Sequence, residues 1–212
     1  SKMNTMVKSV DDNLGNYRIP EAARALQEFV DDMSNWYVRR CRDRFWAKGM
    51  EQDKVNAYMT LYTALVTVCK AAAPMIPFMT EEIYQNIVRS VDASAKESIH
   101  LCDFPVYNAE QVDEKLEADM DLVLKIVVLG RACRNGAAIK NRQPIGQMYV
   151  KAEASLPDYD EAIILDELNV KNITFTDDVS NFTTYNFKPQ LKTVGPKYGK
   201  LVGGIRNYLA DS

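Results

Sequence analysis

Residues 20–46 read PEAARALQEFVDDMSNWYVRRCRDRFW, and this stretch decides the fold class of the chain. Apolar side chains recur in it at steps of three and four positions, at Leu26, Phe29, Val30, Met33 and Tyr37. This spacing places them on one face of an α-helix. Pro20 and Gly49 stand where helices commonly begin and end. We therefore predict a single amphipathic helix from Pro20 to Trp46, about 40 Å long.

Helical patterns also fill the sequence on both sides of this helix. Further helices are predicted at Met3–Leu14, Asp53–Ala73, Phe78–Val88 and Glu110–Asn135. The stretch Asp53–Ala73 is apolar on nearly every face, tyrosines and methionines included, so we expect a buried central helix there. Residues 1–135 are thus predicted to be mainly α, an antiparallel helical bundle.

The periodicity changes after a boundary at residues 136–146, which contain two glycines and a proline. The elements predicted beyond it are a strand at Gln147–Ala152, a helix at Asp158–Leu168, strands at Asn172–Thr176 and Thr183–Phe187, and a closing helix at Pro196–Leu209. Strand, helix and strand in this order predict a small α/β module, which follows the bundle over residues 136–212.

Composition identifies a folded globular chain and leaves most function classes open. Of the 212 residues, 47% are hydrophobic and 26% are charged, and the net charge is −3 with a pI near 5.3. An acidic average is unusual for a nucleic-acid-binding protein. The positive charge, however, is concentrated in three blocks without or nearly without acidic residues, at 39–48, 125–151 and 188–206. Charges more than about 8 Å apart are largely screened at physiological salt, so the average excludes little.

Several kinds of site are not predicted. No apolar run approaches the length of about 18 residues that a membrane span needs, and the first residues do not resemble a signal peptide. The four cysteines are widely separated and His100 is the one histidine, so no metal site is predicted and free thiols in a reducing cytoplasm are expected. Glu81 and Glu82 are interpreted as helix-start charges, and no catalytic residue is predicted.

The long helix carries a polar strip opposite its apolar stripe. At about 100° per residue, four side chains fall within one narrow strip: Asn35, Arg39, Arg42 and Trp46. An amide, two guanidiniums and an indole on one face suit single-stranded RNA, whose unstacked bases and phosphates they can contact. In the alternative, Trp46 packs on a neighbouring helix and the arginines pair with Asp31, Asp32 and Asp43.

Two other arginines of this helix, Arg40 and Arg44, fall in line with the apolar stripe. This position predicts either that the end of the helix projects beyond the core or that ion pairs are buried there.

Five segments together resemble a known family. They are SNWYVRRCRDRFW at 34–46, AAAPMIPFMTEEIYQNI at 71–87, KNRQPI at 140–145, DELNVK at 166–171 and LKTVGPKYGK at 191–200. In this order they resemble the helical anticodon-binding domain, and the adjoining C-terminal segment, of the class I aminoacyl-tRNA synthetases for isoleucine, valine and leucine. The isoleucine enzymes, the isoleucyl-tRNA synthetases, are the nearest match.

The resemblance implies a binding role for the long helix. Side chains expected to contact the anticodon region of tRNA-Ile are Asn35, Trp36, Arg39, Arg40, Arg42, Arg44, Trp46 and Lys48. Three residues of a later basic turn either contact the tRNA backbone or only cap the α/β module: Lys140, Arg142 and Gln143. Neither DNA nor a membrane is an expected partner.

The resemblance also implies that the chain is part of a larger enzyme. The HIGH- and KMSKS-type signatures, with which the family binds ATP and activates the amino acid, do not occur in the chain. From the resemblance we also expect the bundle to lack the family's first helix. We expect a fragment that is inactive alone and binds no cofactor, from a monomeric ligase that uses ATP and Mg²⁺. The alternatives are the equivalent domain of a valine or leucine enzyme, and a protein-interaction module anchored by Trp36 or Trp46.

Overall fold

The computed structural model describes residues 1–152, 156–178, 180–182 and 189–210. Its internal contacts divide the chain into two units, Ser1–Ala118 and Asp119–Ser212. The division falls near the start of the last long helix, and later residues of that helix contact the α/β module, for example in the ion pair of Arg131 with Glu167. The predicted domain boundary after residue 135 stays a prediction.

The first unit is a helical bundle, and the predicted fold class is confirmed. Its elements are α1 (Lys2–Gly15), α2 (Ile19–Asp32), a π-helical segment (Met33–Val38), α3 (Arg42–Trp46), α4 (Gln52–Ala72), α5 (Pro77–Tyr84), a second π-helical segment (Gln85–Arg89), and 3₁₀ turns at Ile99–Leu101 and Ala109–Gln111. The last long helix, α6, spans Glu114–Gly136. No described helix is both long enough and apolar enough to cross a bilayer.

The core of this unit consists of small clusters where neighbouring helices meet. The largest joins α1, α2 and the end of α4 through Met6, Val7, Val10, Ala22, Leu26, Ala71 and Ala72. Burying one aliphatic side chain such as Val10, which has no exposed surface, stabilises the fold by about 1.5–3 kcal/mol. A smaller cluster of Cys41, Phe45 and Ala57 joins α3 to α4.

The expectation that α4 is buried on every face is wrong. Its buried residues are the small ones, Ala57, Cys69, Ala71 and Ala72. Tyr58, Met59 and Tyr62 are instead 44%, 54% and 37% exposed. The buried positions of α4 are therefore its small residues, while its large side chains keep part of their surface in solvent, including Tyr58, whose ring also contacts Phe45 of α3. When apolar residues occur all around a helix, periodicity does not identify the buried face.

The single helix predicted from Pro20 to Trp46 is also interrupted. A π-helical turn bonds residue i to i+5, so it holds about one more residue than an α-helical turn. The segment Met33–Val38 therefore rotates everything after it, and a break at Cys41 precedes α3. Cys41 and Phe45 are buried as a result. Placing Arg40 and Arg44 in the apolar stripe, as a regular helix would, is wrong.

The second unit contains a parallel β-α-β arrangement. Strands β1 (Ile145–Val150) and β2 (Val170–Phe175) pair in parallel, with Gln147 opposite Asn172, and α7 (Asp158–Leu168) connects them. Asn169 ends α7 with φ of 48°, a left-handed conformation that asparagine tolerates well. The predicted α7 is confirmed, and each strand begins two residues earlier than predicted.

The rest of this unit is helical where the structure describes it. The predicted third strand, Thr183–Phe187, lies outside the described residues. The closing helix begins earlier than predicted, as α8 (Leu191–Tyr198), so that Pro196 lies inside it rather than at its start. A 3₁₀ turn (Gly199–Leu201) leads from α8 into α9 (Val202–Ala210).

Candidate functional site

The eight side chains predicted to contact RNA all lie in the first unit, between the π-helical segment and the residues after α3. Asn35, Arg39, Arg42, Trp46 and Lys48 are exposed. The other three, Trp36, Arg40 and Arg44, are half-buried. The four members of the predicted strip therefore all reach solvent, although the helix that carries them is not regular.

Trp46 has the most accessible aromatic ring of this region. Its side chain is 76% exposed, which disfavours the alternative that it packs on a neighbouring helix. The Arg42 guanidinium lies 5.1 Å from the ring centroid, within the range of a cation–π interaction. The indole thus offers a flat apolar surface directly beside the planar, positively charged guanidinium.

A second aromatic and arginine group surrounds Trp36, which precedes Trp46 by ten residues. The guanidinium carbons of Arg39 and Arg40 lie 5.5 and 5.6 Å from the Trp36 ring centroid. Arg39 is also oriented by its own helix, since its Nε donates a hydrogen bond to the Asn35 carbonyl oxygen at 3.1 Å. These contacts hold Trp36 and both arginines in defined positions at the surface.

Arg44 forms an ion pair with Asp53 on α4. Its Nε and Nη2 donate to the Asp53 carboxylate at 2.8 and 2.7 Å, a bidentate pair that joins α3 to the start of α4. Hydrogen bonds from Arg44 hold the pKa of Asp53 below its ordinary value, and those to Asp53 raise the pKa of Arg44. The two side chains are 39% and 66% exposed, so the pair lies at the surface. Of the two alternatives predicted for this end of the helix, a buried ion pair therefore does not hold for Arg44. We interpret Arg44 as a residue that positions α3.

An aromatic cluster that the sequence did not reveal anchors α3 on α4. Phe45 is 7% exposed, and its ring centroid lies 6.3 Å from that of Tyr37 and 5.0 Å from that of Tyr58. The Tyr37 hydroxyl donates to the Ala57 carbonyl oxygen at 3.1 Å. Tyr37, Cys41 and Phe45 are spaced four residues apart, which is a sequence signal for a shared buried face. A helical wheel with a constant angle of about 100° per residue does not show it, because it turns Cys41 and Phe45 away from the apolar stripe.

Charge in this region is strongly positive. Five basic residues lie between positions 39 and 48, and Asp43 is the one acidic residue among them. The site thus combines exposed aromatic surface with cations and a neutral amide, and it contains no group arranged for acid–base or nucleophilic chemistry.

The second predicted site is a turn in the second unit. Lys140, Arg142 and Gln143 are all exposed, and the turn is closed by a hydrogen bond from the Gln143 amide to the Lys140 carbonyl oxygen at 2.9 Å. Arg134, which the sequence did not single out, is 4% exposed and donates hydrogen bonds to carbonyl oxygens of this turn.

Glu81 stabilises a turn, and the interpretation of it as a helix-start charge is wrong. It lies beyond the first turn of α5, and its Oε2 accepts hydrogen bonds from the Ser98 hydroxyl at 2.8 Å and the Ile99 amide at 2.9 Å. Burial would raise the pKa of Glu81, but hydrogen bonds from Gln85, Ser98 and Ile99 outweigh it and lower the pKa below its usual 4.5.

The remaining predicted absences concern metal and thiol chemistry. All four cysteines are free thiols. Within the part of the chain that the structure describes, no group of three or more metal-ligating side chains is close enough to hold an ion.

Comparison with known proteins gives a consistent result. The profile of the family described as "Anticodon-binding domain of tRNA ligase" matches residues 1–150. The isoleucine–tRNA ligases of Clostridium novyi (strain NT) and Clostridium acetobutylicum are each 51% identical to the chain over 211 residues, which cover 100% of it and 20% of each ligase. The isoleucine–tRNA ligase 2 of Bacillus cereus is 41% identical over 99% of the chain. The chain spans about a fifth of the length of these curated relatives.

Proposed function

Because the chain belongs to the family of anticodon-binding domains of tRNA ligases, we propose that it recognises the anticodon of tRNA-Ile as part of an isoleucine–tRNA ligase. Relatives with that name match the whole chain, which favours isoleucine over valine and leucine as the cognate amino acid. The proposed ligase is a monomeric, cytoplasmic enzyme that uses ATP and Mg²⁺ outside this region. This part supplies tRNA choice and binds no cofactor.

The observation that carries the proposal is the exposed Trp46 ring with the Arg42 guanidinium beside it. Exposing a tryptophan to 76% forgoes most of the stabilisation that burial would give. An unstacked anticodon base offers this ring a π surface, and each such stack contributes about 1–3 kcal/mol. The Phe45 anchor fixes α3, the helix that carries Trp46, before RNA arrives, so the backbone needs little ordering on binding.

The other side chains divide between bases and phosphates. Trp36, flanked by Arg39 and Arg40, offers a second stacking surface, and the Asn35 amide can donate to and accept from a base edge. Arg42 and Lys48 are exposed cations that suit phosphate oxygens. Base contacts then provide specificity, while phosphate contacts set orientation.

A protein-interaction module is the competing function, and one observation favours it. Tyr58, Met59 and Tyr62 leave apolar surface exposed on α4, and Trp46 would then insert into a pocket of a partner protein. Such binding depends mainly on apolar contact and changes little with salt. Binding that neutralises Z phosphates instead weakens with a log–log slope of about −0.7Z to −0.9Z.

The two functions are separated by measuring how the full-length protein binds tRNA-Ile and the same tRNA with a replaced anticodon, at several salt concentrations. We expect a steep salt dependence and an affinity at least about fivefold lower for the replaced anticodon, since a specific base contact discriminates by about 1–3 kcal/mol. Equal affinity for both tRNAs, or salt-insensitive binding, would contradict the proposal.

A further inference from the structure

The turn that carries Lys140 and Arg142 is built around a buried arginine on α6. Arg134 is 4% exposed, and its guanidinium reaches into the turn. Its Nε donates to the Asn141 Oδ1 at 3.3 Å, and its Nη2 donates to the Asn141 carbonyl oxygen at 3.1 Å and to the Gln143 carbonyl oxygen. One side chain therefore fixes two peptide groups of the turn.

The end of α7 holds the same turn from another side. The Asn141 side-chain amide donates to the Glu167 carbonyl oxygen at 3.4 Å. Asn169, in its left-handed conformation, donates through Nδ2 to the Asn141 carbonyl oxygen at 3.2 Å. The Asn141 carbonyl thus accepts from two side chains, one on α6 and one directly after the end of α7. The conformation of the turn is determined by these contacts from α6 and the α7 end.

In this arrangement the negatively polarised groups of the turn face the protein and its positively charged groups face solvent. The Asn141 and Gln143 carbonyl oxygens, which carry partial negative charge, are taken up by hydrogen bonds inside the protein. The Lys140 and Arg142 side chains are exposed on the outside. The surrounding stretch, residues 125–151, contains no acidic residue. What the turn presents to solvent is therefore a pair of cations on a fixed backbone.

An arginine is suited to this task for a geometric reason. Its forked donors can reach the amide oxygen of one side chain and two carbonyl oxygens at once, which a lysine ammonium on a flexible stem does not reproduce. Among the described residues, the Arg134 Nη1 is buried and has no hydrogen-bond partner. A buried charged donor without a partner opposes folding. Stability alone is therefore a poor explanation for an arginine at this position.

We propose that Arg134 is a positioning residue for RNA binding, which fixes the turn so that Lys140 and Arg142 contact two phosphates of the tRNA backbone. Arg134 does not contact RNA itself, because it is buried. The identity of the ligand rests on the proposed function, whereas the clamp on the turn rests on the hydrogen bonds above.

The test compares salt dependence of tRNA-Ile binding among variants of the full-length protein. Replacing Lys140 and Arg142 together with alanine should reduce the magnitude of the log–log salt slope by about 1.4–1.8, as expected for two lost phosphate contacts. Arg134→Met should reduce it by a similar amount, although it removes no exposed charge. Combining all three substitutions should not reduce the salt slope further, because both sets of substitutions remove the same two phosphate contacts.

Arg134→Lys is the matched variant that separates positioning from charge. It keeps the positive charge inside the second unit but not the fork. Binding like that of Arg134→Met is expected, and binding like that of the parent protein would overturn the positioning role. Amide hydrogen exchange at Ile139 and Gln143, whose amides are bonded at the start of the turn and within it, should accelerate in both variants.

Each failure has its own signature. If the Lys140 and Arg142 double variant reduces the slope but the Arg134 variants do not, the positioning role is refuted. If the double variant leaves the slope unchanged while Trp46→Ala weakens binding, the turn is not an RNA contact, and anticodon recognition stands. If neither set changes tRNA binding, the proposed function itself fails. Should Arg134→Met not fold, Asn141→Ala takes its place, and an unchanged slope in that variant overturns the proposal.

Discussion

Replacing Trp46 with alanine is expected to weaken tRNA binding without changing the fold. The Trp46 side chain is 76% exposed, so folding removes little of its apolar surface from water. Substitutions at such sites change stability by about 0.5 kcal/mol or less. Losing one stacked base removes about 1–3 kcal/mol, which raises the dissociation constant about 5- to 150-fold.

Phe78→Ala is the matched control for this prediction. Phe78 lies in the first turn of α5 in the same unit, and its side chain is 90% exposed, but it lies outside the predicted RNA contacts. Three quantities should be measured for both variants of the full-length protein: the dissociation constant for tRNA-Ile, the thermal midpoint, and isoleucine-dependent ATP–pyrophosphate exchange. Trp46→Ala should change only the dissociation constant for tRNA-Ile, and Phe78→Ala should change none of the three quantities.

Two results would refute this reasoning. Equal weakening by Phe78→Ala would mean that any loss of exposed aromatic surface reduces binding, and that Trp46 has no special position. If a folded Trp46→Ala protein lost exchange activity, the region around Trp46 would take part in amino-acid activation. This would contradict the proposal that this region selects the tRNA while the chemistry takes place elsewhere.

Two further predictions concern the residues that hold the site together. Phe45→Ala should destabilise the protein by about 3–5 kcal/mol in urea unfolding, because it empties a buried aromatic site between α3 and α4, and a loss below about 1 kcal/mol would contradict the anchoring role. Glu81→Gln should lower the thermal midpoint at pH 7 but not at pH 3. Because the pKa of Glu81 is lowered in the folded state, its carboxylate adds stability above pH 4.5, and this stability is lost as the pH falls through the folded-state pKa. An equal decrease in the thermal midpoint at both pH values would contradict this role of the Glu81 charge.

The order of elements could be predicted because it depends on local patterns. Helix α7 was predicted at its observed bounds, since Pro157 and Asn169 mark its two ends and neither residue depends on distant contacts. The exposure of Asn35 and Trp46 was predicted for a similar reason, because polar and apolar residues alternate at helical spacing around them. Sequence patterns were sufficient to predict features that depend on residues within about one helical turn.

Features that depend on the packing of distant segments could not be predicted. Which face of α4 is buried depends on where neighbouring helices approach it, and an all-round apolar sequence gives no preference. The hydrogen bonds of Arg134 depend on a turn seven to nine residues later and on the end of α7, so its burial has no signature in its own surroundings. An arginine in a basic segment is more simply interpreted as exposed.

The π-helical segment connects the principal error in the sequence prediction to the geometry of the site. In a regular helix Arg40 and Arg44 would face the core beside Leu26 and Met33, and α3 would lack an apolar anchor. The wider turn at Met33–Val38 moves the buried positions on by one residue, to Cys41 and Phe45. Arg44 is thereby moved to the surface, where it pairs with Asp53 and ties α3 to α4. Arg42 and Trp46 stay exposed, as they would be in a regular helix. The irregular turn therefore secures α3 without burying its aromatic and cationic side chains.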